Sequence, residues 1–350
     1  MVAPVAIGSR EIGPGRPCFI IAEAGVNHNG DLGAAKRLVE AAARAGADAV
    51  KFQSFKADRV VSASAPKADY QLQTTDPGES QLGMLRGLEL SAEAQRELHA
   101  HCAGRGVHFL STPFDEESVD VLVALGVEVF KIGSGEVTNW PFLECVARKG
   151  KPIVLSTGMS YLGEVDEAVR VIRHAGCEQL ILLHCVSDYP ADPADVNLRA
   201  MKALETAFQV PVGFSDHTRG IEVALAAVAL GACVIEKHFT LDRDLPGPDH
   251  KASLEPEELQ EMIAAVRTVE RALGDGLKRP AKAELMNRVS VRRSLAVVKD
   301  IPEGTVLRLD VLGALRPATG ISPALAGLVV GRKARRLLRA GEILTWGDLD

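Results

Sequence analysis

The chain has 350 residues, 47% of them hydrophobic and 25% charged, with a formal net charge of −6. That is enough apolar material for one large α/β barrel or two ordinary domains, and it excludes a disordered chain. The acidic balance argues against a nucleic-acid partner, which calls for a basic face, yet a local basic pocket would still hold a small anion.

The opening "MVAPVAIGSREIG" has no basic stretch followed by an apolar core, so no signal peptide is expected. The longest apolar run, Val223 to Ile235, is too short to span a bilayer. The six cysteines (18, 102, 145, 177, 185 and 233) show no CxxC spacing and sit mostly in apolar runs. They read as buried thiols of a reducing compartment. A cytoplasmic protein without membrane contact is expected.

Short apolar, β-branched runs then alternate with stretches of helical period. The strand candidates are "CFIIAEAG", "ADAVKFQSF", "VHFLSTPF", "EVFKIGSGE", "KPIVLSTGM", "QLILLHCVS", "VPVGFSDHT" and "CVIEKHFT". After the first comes "DLGAAKRLVEAAARAG", with Ala35, Leu38, Val39 and Ala42 on one face and Gly46 closing the helix. Eight strands alternating with helices predict an α/β protein with a closed (β/α)8 TIM barrel; an open doubly wound sheet is the alternative. Residues 25–29 and 56–90 are long insertions on the strand-exit side.

Past Leu273 the chain turns polar and basic. We expect a barrel over 1–275, a linker over 276–293 and a small β-rich domain over 294–350. Within the last, "IPEGTVLRLDVL" (301–312) is echoed by "LRAGEILTWGDL" (338–349), which suggests two similar units in pseudo-twofold relation.

In a TIM barrel the active site lies at the C-terminal ends of the strands, where side chains two apart share a face. Those ends supply Glu23, Lys51 with Gln53, Thr112, Lys131, Ser156, His184, Ser215 with His217, and Glu236 with His238. Core strands would place Val or Ile there. Lys51 and Lys131 stand among apolar neighbours, where an unpaired ammonium is expensive to bury. With Thr112, Ser134, Ser156 and Ser215 they suit a phosphate and a carboxylate; the alternative is a pair of structural salt bridges to Glu23 and Glu236. His217 and His238 end adjacent strands, an arrangement that suits a divalent transition metal with open positions. His184 is expected behind the site or against substrate. The Pro246-Gly247-Pro248 loop either presents Asp249 and His250 over the barrel mouth or is a plain surface turn.

Taken in order, "IAEAGVNHNG", "VKFQ", "STPFD", "FKIGSGE", "LSTGM", "GFSDHT", "EKHFTLDR" and "PGPDH" resemble the sialic acid synthases, meaning N-acetylneuraminate synthase and its legionaminate and pseudaminate relatives. The tail with "LRPATGISP" resembles their C-terminal antifreeze-like (SAF) domain. The resemblance implies condensation of phosphoenolpyruvate with an N-acylmannosamine-type sugar, N-acetylmannosamine first, to a nine-carbon 2-keto acid and phosphate. It implies His217 and His238 as metal ligands, for manganese first, with magnesium or cobalt as alternatives. It places Glu23, Lys51, Thr112, Lys131, Ser134, Ser156 and Ser215 around phosphoenolpyruvate, with Glu136 near the reacting carbons. Gln53, Tyr189, Asp249 and Arg316 fall to the acceptor, Arg316 reaching it in a domain-swapped homodimer. Two departures, Ser187-Asp188 before Tyr189 and the Arg292-Arg293 pair, leave the acceptor open among N-acetylmannosamine, its 6-phosphate and a diacetamido-trideoxy sugar. A Schiff-base aldolase using Lys131 and a non-catalytic sugar-binding protein are the competing functions.

Overall fold

The computed structural model describes residues 2–76 and 78–350, which divide into two compact units, Met1–Gly274 and Asp275–Asp350. The first opens with a short antiparallel hairpin, β1 (Val5–Ile7) and β2 (Arg10–Ile12). Eight strands follow: β3 (Phe19–Gly25), β4 (Ala49–Ser54), β5 (His108–Pro113), β6 (Phe130–Ile132), β7 (Ile153–Ser156), β8 (Leu180–Cys185), β9 (Val212–Asp216) and β10 (Val234–His238). All their pairings are parallel, in the order β5-β4-β3-β10-β9-β8-β7-β6. β5 and β6 lie side by side and close the ring, so the barrel expected from the alternation is present.

The helices pack outside. Leu32–Ala45 starts at Asp31, whose side chain accepts from the Gly33 amide, and stops at Gly46 with φ +87°. It buries Ala35, Leu38, Val39 and Ala42, the stripe its period predicts.

Inside the barrel the period of two sorts each strand into an apolar base and a polar top. Phe19 and Ile21 precede Glu23; Ala49 precedes Lys51; Leu110 precedes Thr112; Val129 precedes Lys131; Val154 precedes Ser156; Val234 precedes Glu236. The apolar members form one buried cluster, closed from below by Val5, Ile7 and Ile12 of the hairpin. Sequence reading missed that hairpin because three-residue strands carry too little periodicity. Gly213 is required here: a Cβ on it would lie 2.5 Å from the Val234 carbonyl oxygen. The insertion after β4 folds into three short helices, Ala57–Val60, Asp69–Thr74 and Gln81–Arg86.

In the second unit, β11 (Ser294–Val297) and β12 (Leu312–Leu315) pair antiparallel. The internal echo is real in three dimensions. Ile301 and Leu338, the first residues of the two repeats, exchange backbone hydrogen bonds of 2.8 and 2.9 Å. Each repeat turns at a glycine with positive φ, Gly304 and Gly341, and ends in a 3-10 turn, Leu309–Val311 and Trp346–Asp348. Within residues 276–293, expected as a linker, Lys282–Val291 is a ten-residue helix whose residues are all exposed.

Candidate active site

The polar tops of the strands open into a cavity of about 430 Å³, within the range of small-molecule sites. It is lined by Glu23, Lys51, Gln53, Thr112, Lys131, Ser134, Ser156, Tyr189, Ser215, His217, Glu236, His238 and Asp249. Twelve of the fourteen residues expected in the site thus meet there, along with Glu236, which sequence reading placed at a strand end and weighed as a salt-bridge partner. Two stand elsewhere. Glu136 is half-buried and accepts from Asn139 Nδ2 at 2.6 Å, because the 3-10 turn Ser134–Glu136 carries it out of the strand's inward row. Arg316 belongs to the second unit, where it is exposed.

At the floor, Lys51 Nζ lies 2.8 Å from Glu23 and 3.6 Å from Glu236, and donates to Thr112 Oγ1 at 3.1 Å. Lys131 Nζ lies 3.2 Å from Glu236 Oε1. The salt bridges weighed as a structural alternative therefore exist, but inside a ligand-sized cavity. The two carboxylates behave oppositely. Burial raises Glu23 above the usual carboxylate range, against the pull of Lys51. Burial also opposes ionisation of Glu236, but Lys131, Lys51 and the hydrogen bond from Ser215 (2.8 Å) outweigh it and hold it below that range. Burial lowers Lys131, whereas Lys51, facing both carboxylates, is raised despite burial. Of the two carboxylates, Glu23 is thus the more readily protonated. Ser156 Oγ, buried on β7, has no protein partner among the described residues, and Ser134 Oγ accepts from the Gly158 amide at 2.9 Å.

Above that floor the rings of His217 and His238 are 5.5 Å apart, with Tyr189 4.2 Å from His217. Burial pushes both imidazoles below their ordinary range, His238 further because His217 stands beside it. Both are neutral, the form that binds metals. His217 Nδ1 donates to the Val186 carbonyl at 2.5 Å, and Ser215 gives its proton to Glu236, so His217 Nε2 keeps its lone pair. His238 Nδ1 is buried without a hydrogen-bond partner among the described residues, 3.8 Å from Asp249 Oδ2. With the ring neutral, that approach is no salt bridge. Among the described residues no three His, Cys, Asp or Glu side chains converge as a metal cage. A divalent ion here would have the two imidazoles as its protein ligands, with water and substrate completing its shell.

One wall of the cavity is apolar: Val26, Phe55, Met84, Leu88 and Phe114 pack together, Met84 and Leu88 coming from the insertion after β4. Sequence reading did not find this wall. His184 does not line this cavity: it bonds the Val196 carbonyl at 2.6 Å and packs on Phe214.

The NeuB family profile matches residues 38–278, and the SAF domain profile matches residues 292–350. The chain is 52% identical over 93% of its length to an N,N'-diacetyllegionaminic acid synthase of Campylobacter jejuni, covering 98% of that protein. A Legionella pneumophila protein of the same description is 48% identical, with 98% of each chain covered. Among solved structures, an N-acetylneuraminic acid (sialic acid) synthetase of Leptospira borgpetersenii superposes with a TM-score of 0.72 at 35% identity, over 82% of this chain and 95% of that one. A TIM barrel with this polar crown, followed by a SAF domain, makes the chain an enzyme of the NeuB family.

Proposed function

We propose that the enzyme condenses phosphoenolpyruvate with an N-acylated mannosamine-type sugar, releasing phosphate and a nine-carbon 2-keto acid. The observation that carries this is the buried floor on which Lys51 and Lys131 meet Glu23 and Glu236, beneath the paired rings of His217 and His238. Lys51 and Lys131 hold the anionic ends of phosphoenolpyruvate, with Thr112, Ser134 and Ser156 donating to the same oxygens. A divalent ion on His217 and His238 would supply Lewis acidity toward the aldehyde oxygen of the open-chain sugar. Gln53, Tyr189 and Asp249 orient the sugar so that its aldehyde carbon meets C3 of phosphoenolpyruvate. A new C–C bond forms, positive charge develops at C2 beside Glu23, and water adds there. The tetrahedral carbon then collapses to the ketone, breaking the C–O bond to phosphate, whose charge the lysines accept.

Among acceptors, the apolar wall supports a sugar with methyl groups to bury, and the relatives named for N,N'-diacetyllegionaminic acid favour a diacetamido-trideoxy sugar over N-acetylmannosamine, our first expectation. Lys51 and Lys131 are the cavity's basic side chains among the described residues, and both are engaged at its floor, which disfavours a 6-phosphate. The lowered Lys131 gives the Schiff-base aldolase one supporting observation, and borohydride trapping with substrate would reveal it.

The test is phosphate release from phosphoenolpyruvate with each of the three acceptors, before and after chelation. The expected result is fastest turnover with the diacetamido sugar, loss on chelation, and recovery with manganese above magnesium. Full turnover with metal verified absent would remove the metal from this reading, and no phosphate with any sugar would remove the reading itself.

A further inference from the structure

Two motifs remain without a role in this chemistry: Asn27-His28-Asn29 after β3, and His250 after Asp249. The structure joins them. Asn27, buried, donates through Nδ2 to the Phe239 carbonyl at 2.9 Å and to Ser253 Oγ at 3.0 Å. Ser253 Oγ in turn donates to the backbone carbonyl of Asp249 at 2.7 Å. On the other side, Asn29 Nδ2 donates to the Pro246 carbonyl at 2.8 Å, and its Oδ1 lies 3.4 Å from His250 Nε2. Asn29 Oδ1 can only accept, so this contact is a hydrogen bond in the His250 tautomer that carries its proton on Nε2. Nδ1 of His250 meets Thr240 Oγ1 at 2.7 Å, and the residue is fully buried.

Asp249 is therefore gripped on both flanks by side chains that do not line the cavity, while its own carboxylate faces it. The loop before it, Arg243 to Pro248, has no regular structure to hold that carboxylate in place. Gly247, at φ +149°, passes close between the two arms: a Cβ there would lie 2.7 Å from His250 Cδ2 and 2.9 Å from Asn29 Oδ1.

We propose that Asn29 and His250, backed by Asn27 and Ser253, are positioning residues that fix Asp249 for the acceptor sugar; the inference rests on the acceptor role proposed above for Asp249. The clamp acts on one substrate only: Lys51 and Lys131, which hold phosphoenolpyruvate, stand on β4 and β6, whereas the clamp's residues follow β3 and β10. The test is steady-state kinetics with each substrate varied in turn, on Asp249→Asn, Asn29→Gly, His250→Ala, His250→Gln and Gly247→Ala. Asn29 has φ +50°, so glycine removes its amide without straining the backbone. Asn29→Gly, His250→Ala and Gly247→Ala should raise the acceptor KM by about tenfold or more and leave the phosphoenolpyruvate KM within about twofold. His250→Gln, which still reaches Asn29, should recover part of the loss. If Asp249→Asn raises the acceptor KM and the clamp variants do not, the inference is wrong. It is equally wrong if they move both KM values together with a lower melting temperature. If Asp249→Asn itself leaves the acceptor KM unchanged, the acceptor role of Asp249 fails first, and the clamp falls with it.

Discussion

Lys51 and Lys131 carry the largest burden of any single residues in this account. Each is buried beside a carboxylate, and removing either leaves that carboxylate uncompensated as well as the substrate anion unheld. A charge-assisted hydrogen bond contributes about 1.5–3 kcal/mol, with more at stake in the transition state. Lys51→Met and Lys131→Met should each lower kcat/KM for phosphoenolpyruvate by at least about two orders of magnitude; wild-type kinetics would make both lysines structural. These residues were legible in the sequence because lysine, glutamate and histidine interrupt apolar strands at one fixed phase of the period of two. Glu136, which the resemblance alone implied, follows two glycines in a turn, where that phase no longer says which way a side chain points.

The loop after β3 sets a pH limit on the fold. His28 is buried, its Nδ1 accepts from the Gly30 amide at 2.9 Å, and burial lowers its pKa to about 4, with His250 adding to the shift. An unfolded histidine protonates near 6.5, so the unfolded state gains the proton first as pH falls. Stability is then lost between about pH 6.5 and about pH 4, by up to about 3 kcal/mol from this residue. His28→Asn keeps an acceptor for the Gly30 amide and removes the titration. Urea unfolding of that variant should show a flatter pH dependence over this window, and an unchanged slope would contradict the assignment. Elements of strong period, such as the eight strands and the first helix, could be placed from sequence. The hairpin below the barrel and the short helices of the insertion could not, and the insertion therefore hid the apolar wall that bears on the acceptor.

For the whole molecule, the sequence carried the barrel and the repeat of the small domain further than it carried the join between them. Ten residues of the expected linker are helical, rising about 15 Å where an extended chain would span about 33 Å. We propose that the functional unit is a dimer in which Arg316 of one chain serves the acceptor site of the other. Lys51→Met and Arg316→Ala homodimers should then both be nearly inactive, while the mixed heterodimer, holding one intact barrel and one intact tail from opposite chains, recovers about half the wild-type activity. Purified heterodimers as inactive as both parents would exclude this arrangement.

In the proposed reaction water adds at C2 of phosphoenolpyruvate and the C–O bond breaks, with the phosphate charge received by Lys51 and Lys131. Phosphoenolpyruvate labelled with oxygen-18 in the C–O–P bridge tests this directly, read by mass spectrometry of both products after turnover with the diacetamido sugar. The label should leave with inorganic phosphate, and the 2-keto acid should carry none from the bridge. Label retained in the keto acid would mean P–O cleavage, and would contradict the proposed reaction.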